Sequence, residues 1–136
     1  MAQPTRRYFT TLTELVQQTL CQVSFHRLHF NPDRVIWEVH GSWERFDIRL
    51  KEIFDRSGRM YSYYVIEEGQ VVVGFDNYPD HRALRQKYGR SFTTHLSELI
   101  PHQHGAHKIT LELTAELSVT AFLDYLREKL SINPGE

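Results

Sequence analysis

The alternation of apolar and polar residues between positions 35 and 76 is the feature that most constrains the fold. In the run FDIRLK at residues 46–51 every second residue is apolar, which is the two-residue period of a strand with one buried face. Further runs rich in strand-forming residues cover 35–39, 59–66 and 70–75. Short turn signals lie between these runs, at Gly41-Ser42, Ser57-Gly58 and Glu68-Gly69. Four strands joined by such short turns predict an antiparallel meander.

The same alternation predicts what each face of the sheet carries. One face is apolar and packs on helices, and the other carries Arg45, Asp47, Arg49 and Lys51. The third strand places Tyr61 and Tyr63 on one face and Tyr64 on the other. At Glu52 followed by Ile53 the alternation breaks, which predicts a bulge there.

Helices are expected on both sides of the meander. Thr11-Leu12-Thr13-Glu14 has the form of a capping box, and the apolar spacing after it predicts a helix over residues 11–23. Asp80 is placed to cap a short helix that runs to Tyr88 and is ended by Gly89. Ser118 is placed to cap a C-terminal helix with an apolar stripe.

Between the last two helices, residues 90–107 are expected to form a loop, and residues 109–114 alternate as a fifth strand. The predicted order is α-β-β-β-β-α-β-α, an α+β fold with an antiparallel sheet of about five strands between N-terminal and C-terminal helices. The length of 136 residues fits one domain, residues 1–136.

Composition narrows the protein class. The single cysteine, Cys21, excludes an intrachain disulfide, and its place in the predicted helix favours a buried thiol. The first residues lack the apolar core of a signal peptide, and the sequence has no apolar run long enough for a bilayer. A cytoplasmic protein without a membrane partner is therefore expected.

Positive charge and histidines are concentrated in one stretch. The chain carries a net charge of -1, yet residues 81–108 hold five Lys/Arg and one Glu. Five of the eight histidines lie between His81 and His107. Imidazole transfers protons and binds metals near neutral pH, and local positive charge favours an anionic ligand such as a phosphate backbone. A solvated loop beside a helix is the alternative interpretation of the charge.

Three histidines, His102, His104 and His107, are the main candidates for chemistry. They are predicted to act as general acid or base without a metal, while Lys108, Arg82 and Arg85 bind the phosphate. Asp76 follows a strand end and is placed to orient a histidine, and His81 is close enough in sequence to face the same cleft. A divalent metal at His102, His104 and His107 is an alternative, which needs a carboxylate such as Asp76 as a further ligand. Surface histidines without a role are the third interpretation.

The segments YSYY at 61–64, GFDN at 74–77, His81 and PHQH at 101–104 together resemble the TumE-type toxin family of prokaryotic toxin–antitoxin systems. The resemblance covers roughly residues 43–130. It implies that Asp76, Asn77, His81, His102 and His104 match family positions, and that Ser118 matches the start of the final helix. It also implies a cognate antitoxin as a partner.

Together these features predict a toxin-like protein that acts on RNA, as a ribonuclease that uses histidine acid/base cleavage. The alternative is a non-enzymatic binding module that holds a partner protein or an anion on its sheet face or histidine loop. A homodimer is compatible with either function.

Overall fold

A computed structural model of the chain describes residues 4–131. Over these residues the fold has three α-helices, two 3₁₀ helices and seven strands. In chain order they are α1 (Arg6–Thr19), β1 (Cys21–Phe30), β2 (Val35–Trp43), β3 (Phe46–Asp55), β4 (Gly58–Glu67), β5 (Gln70–Asp76), α2 (His81–Tyr88), a 3₁₀ helix (Gly89–Thr94), β6 (His102–His104), a second 3₁₀ helix (Ala106–Lys108), β7 (Leu111–Leu113) and α3 (Val119–Lys129).

The seven strands form one sheet in the order β1-β2-β3-β4-β5-β6-β7, and every neighbouring pair is antiparallel. The α+β class and the antiparallel meander are confirmed, but the sheet has seven strands instead of about five. The two missed strands are β1 and β6. Two register shifts interrupt the pairing of β1 with β2, so β1 lacks a clean alternation. β6 has three residues, His-Gln-His, whose types carry little strand preference.

The start of the chain differs from its prediction. The first helix begins at Arg6, and the Thr5 hydroxyl caps it by accepting from the Tyr8 N–H at 3.3 Å. It ends at Thr19, so Cys21 begins β1 and its thiol is exposed. The predictions of a helix over 11–23 and of a buried Cys21 are therefore wrong, because an apolar stripe does not show where a helix gives way to a strand.

Two predictions about the meander are also wrong. Gly41-Ser42 lies inside β2, and the chain turns instead at residues 44–45, where Glu44 has φ 55°. Pairing through Glu52 and Ile53 is continuous on both sides of β3, so no bulge exists there. Glu52 keeps the alternation by pointing into the core as a buried carboxylate.

The other two predicted helix starts are confirmed. Asp80 caps α2 by accepting from the N–H groups of Arg82 and Ala83, and Gly89 ends that helix with φ 60°. Ser118 caps α3 by accepting from the Ala121 N–H at 3.1 Å. No helix within residues 4–131 has both the length and the apolar character needed to cross a bilayer.

The two faces of the sheet have different partners. One face packs on α1 and α3 in the main core, whose fully buried members include Phe9, Val16, Trp37, Ile48, Leu50, Tyr61, Tyr63, Phe122 and Leu126. The opposite face exposes Asp47 and Arg49, as the alternation predicts. A smaller cluster attaches α2 to the β6–β7 end of this open face through Ala83, Leu84 and Ile100, with Leu111 against them. The open face therefore keeps a polar surface with one helical wall.

A buried ion pair joins the helices to the middle of the sheet. The Glu52 side chain is fully buried and accepts from Arg59 at 2.8 Å, from the Tyr63 hydroxyl at 2.6 Å and from the Tyr8 hydroxyl at 2.8 Å. The Arg59 guanidinium also donates to the Leu117 carbonyl at 2.7 Å, just before α3. One carboxylate thus connects α1, β3, β4 and the start of α3.

The substitution Arg59→Met should destabilise the protein by about 3–5 kcal/mol, because it leaves the Glu52 carboxylate buried without its cation. Urea unfolding followed by circular dichroism measures this loss. The matched control is Arg45→Met, which removes an exposed ion pair with Glu67 at 2.7 Å and should cost less than about 1 kcal/mol. Equal losses in the two variants would contradict a structural role for the buried pair.

Candidate functional site

Asn77 fixes the point at which β5 leaves the sheet. Its side-chain oxygen accepts from the Tyr61 N–H at 2.9 Å, and its amide donates to the Arg59 carbonyl at 2.8 Å. Its own carbonyl accepts from the Ile100 N–H at 2.9 Å. Asn77 thereby extends the hydrogen bonding of β5 with β4 on one side. On the other side it holds the segment that leads into β6.

This arrangement sets the register that assembles the site. Asp76 in β5 pairs with His102 in β6, and Gly74 pairs with His104. Because alternate residues of a strand share a face, Asp76, His102 and His104 all point to the open face. Ser62 in β4 lies opposite Asp76 on its other side, and Lys51 in β3 lies opposite Ser62.

The carboxylate of Asp76 is the centre of the site. His102 Nε2 lies 3.2 Å from Oδ1, and His104 Nε2 lies 3.3 Å from Oδ2. The Tyr64 hydroxyl donates to Oδ2 at 2.7 Å, and the Tyr78 N–H donates to Oδ1 at 3.0 Å. Asp76, rather than Asn77, therefore closes the turn before Pro79. The carboxylate is held by four partners and is 6% exposed.

Hydrogen-bond partners assign a proton position to each histidine. His102 Nδ1 lies 2.6 Å from the Ile100 carbonyl, which only accepts, so this nitrogen carries a hydrogen. His104 Nδ1 lies 3.4 Å from the Arg82 guanidinium, which only donates, so this nitrogen is the acceptor and Nε2 carries the hydrogen. The two Nε2 atoms are 3.2 Å apart, and both face Asp76.

The surroundings move the pKa values of the two histidines in opposite directions. Burial lowers the pKa of His102, but the hydrogen bond to Asp76 and its negative charge outweigh burial and raise it above the ordinary value. Burial also lowers the pKa of His104, and the charges of His102 and Lys108 add to that effect against the attraction of Asp76. Burial opposes ionisation of Asp76, yet hydrogen bonds from His102 and Tyr64 leave its pKa below the ordinary value. Compared with the free side chains, the site therefore favours the charged forms of Asp76 and His102 and the neutral form of His104.

These residues form the floor of a cleft of about 470 Å³ on the open face. It is lined by Lys51, Ser62, Tyr64, Asp76, Tyr78, Pro79, Asp80, Arg82, His102, His104 and Lys108. Arg82 is anchored by donating to the carbonyls of Lys108 and Ile109 at 3.1 and 3.2 Å. The Lys108 ammonium lies 4.8 Å from the centre of the Tyr64 ring. The lining thus holds three cationic side chains, Lys51, Arg82 and Lys108, beside the carboxylates of Asp76 and Asp80, and this local positive charge suits a bound anion.

The structure brings together five of the eight residues that the sequence nominates, namely Asp76, His102, His104, Arg82 and Lys108. The other three lie outside the lining of the cleft. The His81 ring contacts Phe92, with centroids 5.8 Å apart, and Arg85 lies over the same Phe92 ring. His107 is exposed, and its Nδ1 contacts the Gln70 side-chain oxygen at 3.1 Å.

Six members of the cleft are not among the residues that the sequence nominates for chemistry, namely Lys51, Ser62, Tyr64, Tyr78, Pro79 and Asp80, although the sequence does place the aromatic Tyr64 and Tyr78 near the site. The strand-forming runs predict Lys51, Ser62 and Tyr64 on strands, and the alternation predicts Tyr64 on the face opposite Tyr61. Their place beside Asp76 depends on which residue of each strand pairs with which.

Two groups among residues 4–131 have ligand atoms close enough to share a metal ion. They are Asp76 with His102 and His104, and His26 with Glu38 and His40. Separations of 3.2–3.3 Å around Asp76 match those of ligand atoms about 2.1 Å from one divalent ion. However, a metal on His104 Nε2 requires a hydrogen on Nδ1, which would face the donors of Arg82. The side-chain arrangement therefore favours proton chemistry at this centre unless Arg82 moves.

The raised pKa of His102 predicts that the free energy of unfolding changes with pH, and that His102 causes part of this change. Because folding raises the pKa of His102, its protonation stabilises the folded protein. This contribution is present in full below the unfolded pKa of about 6.5, and it is lost as the pH rises through the folded pKa. In His102→Gln that loss should disappear. Urea unfolding between pH 6 and pH 9 measures it.

The matched control for this experiment is His29→Gln, on β1 and outside the cleft. It should keep the wild-type slope of unfolding free energy against pH. A wild-type slope in His102→Gln as well would contradict a protonated His102 beside Asp76.

No protein-family model, curated protein or solved structure matches this chain. The chemistry of the cleft is therefore the basis on which its function is inferred.

Proposed function

We propose that this protein binds RNA in the cleft and cleaves it by histidine acid/base catalysis, without a metal ion. The observation that carries the proposal is the Asp76 carboxylate shared by His102 and His104 on the floor of a cleft with cationic walls. A phosphodiester has the two properties that such a cleft serves. It carries a negative charge, and in RNA it has a neighbouring hydroxyl that becomes a nucleophile when its proton is removed.

His104 is the proposed base. Its Nδ1 accepts only a long contact of 3.4 Å from Arg82, which a substrate hydroxyl can replace. His104 is also neutral, because burial and neighbouring positive charge lower its pKa. It therefore has a free lone pair near neutral pH, which a general base requires.

His102 and Asp76 are the proposed positioning residues. Both ring nitrogens of His102 are engaged, Nδ1 by the Ile100 carbonyl and Nε2 by Asp76, so this residue orients the carboxylate. Asp76 in turn lies 3.3 Å from His104 Nε2, where it holds the ring orientation and stabilises the positive charge that forms when Nδ1 takes a proton.

The reaction follows from these roles. His104 Nδ1 takes the proton of the ribose 2′-hydroxyl, and the oxygen attacks the adjacent phosphorus. The bond from phosphorus to the 5′-oxygen breaks, and the imidazolium of His104 returns the proton to that oxygen. The products are a 2′,3′-cyclic phosphate and a 5′-hydroxyl. Arg82 and Lys108 stabilise the charge that builds on the phosphate oxygens.

Cleavage should therefore need the 2′-hydroxyl and persist in EDTA. A labelled RNA oligonucleotide should be cut to cyclic-phosphate products, while the same oligonucleotide with 2′-deoxyribose throughout should remain intact. His104→Gln should lower the rate by about 10²- to 10⁴-fold, the usual contribution of a general base. His29→Gln is the control and should cut at the wild-type rate.

Three outcomes would contradict this function. Dependence on added Mn²⁺ or Zn²⁺ would assign the centre to a metal. Loss of cleavage in His107→Gln or His81→Gln with full activity in His104→Gln would place the chemistry elsewhere. Retained RNA binding without cleavage under any condition would favour the binding-module alternative, which the cationic cleft also suits.

The biological role that we propose for this activity is that of a toxin-like component held in check by a cognate antitoxin. It is supported by the resemblance of residues 61–104 to the TumE-type toxin family. Expression of the wild-type protein should stop growth of a bacterial host, and His104→Gln should relieve the arrest at equal protein level. Arrest by both proteins would separate toxicity from the proposed cleavage.

A further inference from the structure

We propose that a pocket beside the cleft binds the base of a nucleotide next to the cleaved phosphate and selects guanine through Glu38. This proposal rests on the proposed RNA cleavage for its biological meaning. The evidence that a base can bind there is the geometry of the open sheet face.

The pocket is continuous with the cleft. It has a volume of about 270 Å³, and it shares Lys51, Ser62, Tyr64 and Lys108 with the cleft. Its own lining includes the apolar Ile66 and Val71, and Glu38 closes it on the β2 side. A polynucleotide that places a phosphate above His104 therefore has an adjoining space with apolar walls for one of its bases.

Tyr64 and Lys108 form the boundary between the two spaces. The Tyr64 ring lies flat against the sheet because Gly74 offers no side chain, and a Cβ there would lie 2.1 Å from the ring. The Tyr64 hydroxyl donates to Asp76, so the ring is also fixed at its far end. The fixed Tyr64 ring therefore forms a flat aromatic wall between the cleft and the pocket, with the Lys108 ammonium over it.

The turn after β6, at residues 106–108, positions the Lys108 side chain. His107 and Lys108 have φ of 56° and 59°, and neither is a glycine. Such conformations cost energy, and they cluster where a side chain must be held for function. Here the turn holds the Lys108 ammonium over Tyr64, between the cleft and the pocket, where it can bind the phosphate that joins two nucleotides.

Glu38 gives the pocket its chemical preference. Each of its oxygens has one basic neighbour, with Arg27 Nε 3.4 Å from Oε1 and His40 Nε2 3.8 Å from Oε2, so lone pairs remain on both, and the side chain is 20% exposed. A carboxylate accepts two hydrogen bonds side by side. Of the four RNA bases only guanine presents two neighbouring donors on its Watson–Crick edge, the N1–H and the 2-amino group. Adenine, cytosine and uracil each place an acceptor against one carboxylate oxygen.

Mapping of cut sites in an RNA of balanced composition tests the preference. Guanine should be enriched about tenfold at one of the two positions that flank the cut, the discrimination expected of a bidentate contact. Glu38→Gln should lose this enrichment while it continues to cut. Asp47→Asn is the matched control, because Asp47 is an exposed carboxylate on the same sheet face outside both spaces.

A binding measurement separates this inference from the proposed cleavage. Titration calorimetry with guanosine and uridine monophosphates should show a guanosine preference in the wild type and in Asp47→Asn, and none in Glu38→Gln. The guanine pocket would be overturned if the wild type cut RNA with no base preference. Equal binding of the two nucleotides by the wild type would overturn it as well. A guanosine preference in a protein that never cuts RNA would keep the pocket and overturn the proposed cleavage.

Discussion

Antiparallel pairing of β5 with β6 brings residues that lie 26 positions apart in the chain into contact at Asp76. The pair Asp76 and His102 defines that register, and the hydrogen bond from the Ile100 N–H to the Asn77 carbonyl holds it. A slip by one residue would turn both histidines of β6 toward the opposite face and Gln103 toward the carboxylate. The contacts of His102 and His104 with Asp76 depend on this pairing.

The sheet separates stability from chemistry by its two faces. On the helix-covered face, the Glu52–Arg59 pair and the aromatic residues around Tyr63 hold α1 and α3 to the meander. On the open face, neighbouring strands contribute one polar residue each to a row that runs from Glu38 through Lys51 and Ser62 to Asp76 and His102. Alternation lets one strand serve both purposes, since Tyr63 packs in the core while Tyr64 reaches Asp76.

Electrostatics explains why two neighbouring histidines differ. Both are buried, which by itself lowers the pKa of each. Only His102 has a carbonyl at one nitrogen and a carboxylate at the other, so its charged form has two acceptors. His104 shares the same carboxylate but faces Arg82, and Lys108 is close enough to oppose its protonation. Once one imidazole beside Asp76 is charged, the second is kept neutral.

The sequence alone determined the elements whose signal is local. The two-residue period predicted β2 to β5 and the division of Tyr61, Tyr63 and Tyr64 between faces, and side-chain caps at Asp80 and Ser118 predicted the starts of α2 and α3. The position of Asp76 after a strand and the density of histidines located the region of the candidate site. These features depend on neighbours within a few positions, so a single sequence displays them.

Only the tertiary structure decided which residues meet. Pairing register placed Lys51, Ser62 and Tyr64 beside Asp76 and left His81, His107 and Arg85 outside the cleft, although all three are near it in the chain. Glu52 breaks the apolar alternation of the sequence, and it is buried because Arg59, Tyr63 and Tyr8 from other elements bind its carboxylate. The physical reason is the same in each case. A short strand such as β6, a buried charge or a shared carboxylate is stabilised by partners distant in sequence, and no local pattern records them.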